Sequence, residues 1–252
     1  MAHFYLDETL GDVSAGDTVS LTGAEARHAA GVSRLRVGET VLLGNGNGLI
    51  LTVEAKSVDK EKVTFVVVRA DMTGAPTTRV TLVQALTKGD RDERAIEAAT
   101  ELGIDHVIPW AASRCVSVWN DAKVKRGVER WRTIVREAAK QSIRAFVPTV
   151  GNYLNTEDLC RDLAGTGAVA IVLDPTGDVT NSYAWNELVA VARANEQSVV
   201  IIVGPEGGIT PGELERFDAV GVVRVSLGAH ILRSSTAGPA FLAAINGALG
   251  RW

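Results

Sequence analysis

The run Val199-Val200-Ile201-Ile202-Val203 ends at Gly204-Pro205-Glu206-Gly207-Gly208, and Ile209-Thr210-Pro211 then opens a helix. Five consecutive β-branched residues with no polar alternation describe a strand buried on both faces, the position of an inner strand in a parallel sheet covered by helices. Runs of the same kind predict further strands at residues 80–86, 107–110, 168–173 and 222–227. Amphipathic helices separate them: Ile96, Ala99 and Leu102 share one face, and Val128, Trp131, Ile134, Val135 and Ala138 share another. The chain from residue 76 to 252 therefore reads as an α/β domain, whose sites lie in loops beyond the carboxyl ends of the strands.

Ahead of Thr73-Gly74-Ala75-Pro76 the pattern is different. Val41-Leu42-Leu43, the turn Gly44-Asn45-Gly46-Asn47-Gly48 and Leu49-Ile50-Leu51-Thr52-Val53 form a hairpin signature, and Val63, Phe65 and Val67 alternate in a further strand. With no long helical pattern in this stretch, residues 1–73 are expected to close as a small β-barrel.

Composition narrows the class. A net charge of −4 excludes a protein that coats nucleic acid by bulk electrostatics, so any RNA contact must come from local basic patches. The start, Met1-Ala2-His3-Phe4-Tyr5-Leu6-Asp7, lacks the basic-then-apolar pattern of a signal peptide, and no run approaches the roughly 18 apolar residues of a membrane span. Cys115 and Cys160 are far apart and fit the reduced thiols of a cytoplasmic protein. His3 and His106 show no metal-ligand spacing, so no metal is expected.

Two loops could carry chemistry. In 203–213, three glycines let a ligand approach the backbone, and Thr210 and Glu213 make a capping box with Pro211 at the first helical position. In 227–238, Leu227-Gly228-Ala229-His230-Ile231-Leu232-Arg233 follows a strand, and Ser235 or Thr236 can cap the last helix. Together they describe a two-walled pocket. Neither is a phosphate cradle, since no G-x-x-x-x-G-K-[ST] occurs, and the glycines of 44–48 lead into a strand rather than a helix. Basic residues form a third feature. Arg132, Arg136, Lys140 and Arg144 recur every four positions in a slanting stripe; Lys88, Arg91 and Arg114 lie near strand ends; Arg27, His28, Arg34 and Arg36 cluster in the first domain. Glu93, Glu97 and Glu101 read as an exposed helix face.

In order along the chain stand Gln84-Ala85-Leu86-Thr87-Lys88-Gly89-Asp90, Ala99-Thr100-Glu101-Leu102-Gly103-Ile104, Ile108-Pro109, Arg130-Trp131 and Glu137-Ala138-Ala139-Lys140-Gln141-Ser142 with Arg144. They are followed by Gly204-Pro205-Glu206-Gly207-Gly208 and by Leu227-Gly228 with Ile231-Leu232-Arg233 and Thr236-Ala237. This succession, preceded by Arg27-His28, Leu35-Arg36 and Gly38-Glu39, resembles the RsmE family of ribosomal RNA methyltransferases in the SPOUT superfamily.

The resemblance implies a PUA-like β-barrel followed by a SPOUT-type parallel sheet with a C-terminal trefoil knot, a homodimer, and methylation of a uridine N3 in 16S RNA of the small ribosomal subunit. It implies S-adenosylmethionine held by Leu173, Gly204, Pro205, Glu206, Gly207, Gly208, Leu227, Gly228, Ile231, Leu232, Thr236 and Ala237. Arg233 would stabilise charge on the uracil oxygens, with Glu206 and His230 as candidate bases. Phosphates would meet Arg27, Arg34, Arg36, Lys88, Arg91, Arg114, Arg136, Lys140 and Arg144. His230 and Ser235 depart from the family pattern, which commonly has arginine and glutamate there. Two alternatives stand beside this: a nucleotide-dependent enzyme on a doubly wound sheet, for which Thr87-Lys88-Gly89-Asp90 supplies no glycine fingerprint, and a non-catalytic RNA-binding or ribosome-assembly protein with a vestigial pocket.

Overall fold

The computed structural model describes residues 3–177 and 184–252. The chain divides into two compact units, Met1–Ala75 with Ala139–Val147, and Pro76–Ala138 with Pro148–Trp252. Residues 139–147, expected within a continuous second domain, thus belong to the first unit.

That first unit holds β1 (Phe4–Leu6), β2 (Thr18–Thr22), β3 (Thr40–Gly44), β4 (Leu49–Val58) and β5 (Lys62–Met72) in the order β1-β3-β4-β5-β2. Alternate residues of β4 and β5 face inward, so Leu49, Leu51, Val53 and Ala55 meet Val63, Phe65 and Val67 in the core. The expected hairpin is β3–β4. The Asn45 carboxamide oxygen accepts from the Asn47 and Leu49 N–H groups at 2.8 and 3.1 Å, which closes the turn, while Gly46 and Gly48 take φ of +71° and +103°. Residues 145–147 complete this turn: Gly48 N–H donates to Ala145 C=O, and Val147 N–H to Gly46 C=O.

Among the described residues no pairing joins β1 to β2, so strand hydrogen bonds alone do not close the expected barrel. The chain between β2 and β3 instead forms a short helix, α1 (Gly23–Arg27), and a π-helical turn, His28–Val32, which bring Ala26 and Ala29 into the core. Helical backbone supplies packing that the sequence pattern assigned to strands.

The second unit runs β6 (Val80–Ala85), α2 (Arg91–Glu101), β7 (His106–Ala111), α3 (Asp121–Gln141), β8 (Thr149–Val150), β9 (Leu154–Asn155), α4 (Thr156–Thr166) and β10 (Val169–Leu173). It continues with α5 (Ala184–Ala194), β11 (Val199–Val203), α6 (Pro211–Ala219), β12 (Val223–Val225) and α7 (Ser234–Leu249). The last residues of α3 fall in the first unit. All strand pairs of this sheet are parallel, in the order β12-β10-β11-β6-β7-β8, with β9 also on β7. Every residue of β11 is buried, as its β-branched run requires. Leu159 of α4 and Leu214 and Phe217 of α6 cover one face, packing on Val83, Val172 and Ile202. On the other face lies α7, so close that a Cβ on Gly238 would sit 2.9 Å from Leu82 Cδ1.

Candidate active site

The neighbouring strands β12, β10, β11 and β6 present their carboxyl ends together, and their loops enclose a cleft of about 490 Å³. A second hollow of about 290 Å³ shares Leu173, Asp174, Pro175, Ile231, Leu232 and Ala237 with it. The glycine wall is shaped by close packing. A Cβ on Gly204 would meet Ile209 Cγ1 at 2.6 Å, and one on Gly207 would meet Arg114 Cβ and C=O at 3.0 and 3.1 Å. Gly208, at φ +74°, closes the turn by donating its N–H to Pro205 C=O. The Thr210–Glu213 capping box then starts α6, with Pro211 in its first turn.

Of the residues proposed from sequence to hold a cofactor, Gly204, Pro205, Glu206, Gly207 and Gly208 line the larger cleft, and Leu227 and Gly228 the smaller. Leu173, Ile231, Leu232 and Ala237 line both, while Thr236 lines neither. Arg233 faces the larger cleft and His230 the smaller. Sequence reasoning missed Asp174, Pro175 and Ser234. Asp174-Pro175 directly follows the β10 run, a signal of position that could have marked it; there the Asp174 carboxylate accepts from the Thr176 N–H at 2.8 Å and from its hydroxyl.

Charges in the cleft are unequally compensated. Glu206 Oε1 accepts from the Arg91 guanidinium at 2.8 Å and from the Lys88 N–H at 3.2 Å, strapping the glycine loop to the start of α2. This bond occupies the carboxylate considered as a base. Arg233 is exposed and has no ion pair among the described residues. Behind the loop, Glu213 is only 2 % exposed. Burial alone would push its carboxyl up, but N–H donors from Ser113 and Thr210 and the Thr210 and Thr156 hydroxyls outweigh that and hold it below the ordinary 4.5. Asp92 behaves oppositely, since burial pushes its carboxyl up despite hydrogen bonds at the start of α2. Burial likewise raises the Cys115 thiol to about 11, so it is not a ready nucleophile.

The basic residues separate. Arg27, Arg34 and Arg36 are exposed on the first unit, with Arg34 in the left-handed region at φ +53°. Lys88 is exposed, Arg91 is paired with Glu206, and Arg114 donates to Gly207 C=O at 3.1 Å. The α3 stripe does not stay on one face. Arg132 is exposed and paired with Glu129, Arg136 and Arg144 are half-buried, and Lys140 is buried against Glu25 at 2.9 Å. A four-residue step overshoots the helical repeat by about 40°, so two steps carry the row roughly 80° around the helix and into the interior. Lys140 is therefore withdrawn from the set expected to meet phosphates. Glu93, expected on an exposed face, is half-buried and held by both ends of the Arg130 guanidinium at 2.8 and 3.1 Å. Among the described residues, no group of three or more His, Cys, Asp or Glu could hold a metal, and no helix is long and apolar enough to cross a membrane.

Comparison with known proteins gives a consistent result. The profile of an RNA methyltransferase domain matches residues 74–246, and that of an RNA methyltransferase PUA domain matches residues 21–68. The ribosomal RNA small subunit methyltransferase E of Mycobacterium tuberculosis is 40% identical over 252 residues, covering 99% of this chain and 92% of the relative. The Bacillus subtilis protein of the same name is 31% identical over 247 residues, covering 98% and 96%. A crystal structure of the Neisseria gonorrhoeae enzyme of that name, bound to S-adenosylmethionine, superposes with a TM-score of 0.83 at 26% identity, over 98% of each chain.

Proposed function

This chain belongs to the ribosomal RNA small subunit methyltransferase E family, and on that premise we propose that it methylates N3 of a uridine in 16S RNA with S-adenosylmethionine as donor. One observation carries the reading: loops from adjacent parallel strands meet in a cleft with a glycine-rich wall and Arg233 as a cation without an ion pair among the described residues.

The cleft fits the cofactor. A Cβ on Gly228 would meet nothing within 4 Å and one on Gly208 only Arg114 Nη1 at 3.8 Å, so both glycines leave open space beside exposed backbone. Leu173, Leu227, Ile231 and Leu232 offer apolar walls to an adenosyl group, and Gly204–Gly208 offer main-chain polar atoms. When bound, S-adenosylmethionine supplies a methyl sulfonium, a strong electrophile that needs alignment more than activation. What the protein must manage is the nucleophile. Uracil N3 carries a proton at neutral pH, and the charge left by its loss spreads onto the ring oxygens. Arg233 stabilises that charge from the cleft wall. Glu206 is tied to Arg91 and to the Lys88 N–H, which leaves His230, exposed on the smaller hollow, as the candidate acceptor for the N3 proton. The target base must be unpaired or flipped out to expose N3.

Finer points of the same proposal concern assembly. Val116 and Val118 are large apolar side chains left exposed on the loop after β7, which supports a homodimer. The trefoil knot is part of the same proposal and rests on the family to which the chain belongs. Arg27, Arg34, Arg36 and Arg144 of the first unit and Lys88, Arg91, Arg114 and Arg136 of the second are assigned to RNA phosphates, within the small ribosomal subunit in the cytoplasm.

The test is incubation with labelled S-adenosylmethionine and small subunits from a strain lacking 3-methyluridine, with protein-free 16S RNA in parallel, followed by nucleoside mass analysis. Label in 3-methyluridine is the expected result. Cofactor binding without transfer overturns the substrate assignment; absence of cofactor binding overturns the catalytic reading and favours an RNA-binding protein.

A further inference from the structure

Gln84 lies beneath the cleft and lines no part of it, yet it is a fully buried polar residue at the end of β6. Its backbone pairs with Val203, the last residue before the glycine loop. Its Nε2 donates to Ala85 C=O at 3.1 Å and to Ser234 Oγ at 2.8 Å. Ser234 Oγ in turn lies 2.9 Å from Gly204 C=O. Ser234 is the first residue of α7 and does line the cleft, as does Gly204.

The direction of these bonds is fixed. An amide nitrogen only donates, so the serine oxygen must accept from it, and the hydroxyl proton is left to point at the Gly204 carbonyl. Turning the amide over would set Oε1 against the Ala85 carbonyl, acceptor against acceptor. The remaining atom, Gln84 Oε1, is buried with no hydrogen-bond partner among the described residues. An apolar side chain of the same length, such as methionine, would fill this space without that cost. Packing therefore does not account for a glutamine here, whereas its two donors do.

We propose that Gln84 is a positioning residue for the cofactor: through Ser234 it fixes the Gly204 carbonyl, and so couples the glycine wall to the first turn of α7, on which Arg233 and Ala237 face the ligand. The relay rests on the cofactor reading above. The seating of α7 supports it, because Gly238 lies so near Leu82 and Val203 that the first turn of the helix is held against β6 and β11, where Ser234 can reach both partners.

Calorimetric titration of S-adenosylmethionine into wild type, Gln84→Met, Ser234→Ala and the double variant tests the relay. Each single variant is expected to weaken cofactor binding about tenfold, as for one lost hydrogen bond, and the double variant no further, because one relay is broken in all three. Ser234→Thr, which keeps the hydroxyl, should restore most of the affinity. Under turnover the cofactor KM should rise with little change in kcat, and RNA affinity should stay at the wild-type value. Multiplying losses in the double variant, or wild-type cofactor affinity in Gln84→Met, overturns the relay. Ser234→Ala removes a single atom, so its comparison with Ser234→Thr tests the Ser234 half of the relay, and Gln84→Leu takes the place of Gln84→Met should that variant not fold. The outcomes are separable: a wild-type protein that binds no cofactor defeats the cofactor reading and the relay with it, whereas wild-type binding with unaffected variants defeats the relay alone.

Discussion

Replacing Glu213 with glutamine keeps the shape of the side chain and removes its charge. In the wild type, Oε1 accepts from the Ser113 N–H and the Thr156 hydroxyl, both at 2.8 Å, and Oε2 from the Thr210 N–H at 3.0 Å and the Thr210 hydroxyl at 2.7 Å. Glutamine offers one oxygen and one NH₂, so one of these pairs must face a donor. A hydroxyl can rotate to accept, but a main-chain N–H cannot. One buried N–H is therefore orphaned at about 1–3 kcal/mol, and the surviving bonds lose roughly another 1 kcal/mol of charge assistance. For a chain of this size each kcal/mol moves the melting temperature by about 2–4 °C, so Glu213→Gln, at about 2–4 kcal/mol, should melt roughly 4–16 °C below wild type at neutral pH. The sign of the pH dependence follows from a folded-state carboxyl held below its unfolded value. The stabilisation is complete above 4.5 and is lost as pH falls through the folded-state value, so the two melting curves should converge on acidification. Calorimetric melts across that range decide it. A variant melting within about 1 °C of wild type at neutral pH, or a gap that does not narrow in acid, would refute the assignment of Glu213 as the ionised anchor of this loop.

Four further variants test the site and the basic residues of the first unit. Arg233→Ala should lower kcat by about 10²–10³ while cofactor affinity measured by calorimetry stays within a few-fold, whereas loss of cofactor binding alone would make Arg233 a cofactor ligand. Gly207→Ala would set a Cβ 3.0 Å from Arg114 Cβ and 3.1 Å from its C=O, a crowding of about 1–3 kcal/mol that should weaken cofactor binding; a variant with unaltered melting and affinity would show the wall to be slack. Lys140→Ala removes one charged partner of the half-buried Glu25 and should cost roughly 1–3 kcal/mol without altering the salt dependence of RNA binding, while Arg34→Ala should leave the melt alone and reduce the salt slope by about 1.

What was legible in the sequence was local. The β-branched run of β11, the hairpin around Asn45 and the Thr210–Glu213 capping box each follow from residues within a few positions of one another, and each stands where the pattern put it. What escaped depends on partners far apart in the chain. Gln84 and Ser234 are separated by 150 positions, so nothing near either residue announces their bond. The burial of Lys140 was hidden in the same way: an every-fourth spacing suggests a face, but Glu25, 115 positions away, decides which way that residue points. The helical turn at 23–32 was missed because it is too short for a period to show, and its packing rests on two alanines, Ala26 and Ala29.

The assignment of residues 139–147 to the first unit has a consequence for synthesis. The loop at Gly46 and Gly48 finds its hydrogen-bond partners in residues 145–147, yet the ribosome must add residues 76–138 before that stretch begins to exist. At about 5–20 residues per second this is an interval of roughly 3–13 s, long compared with the microseconds in which a hairpin forms. The nascent amino-terminal sheet therefore waits, nearly assembled, with its turn unlatched, and the piece that fastens it arrives at the end of a helix begun in the other unit.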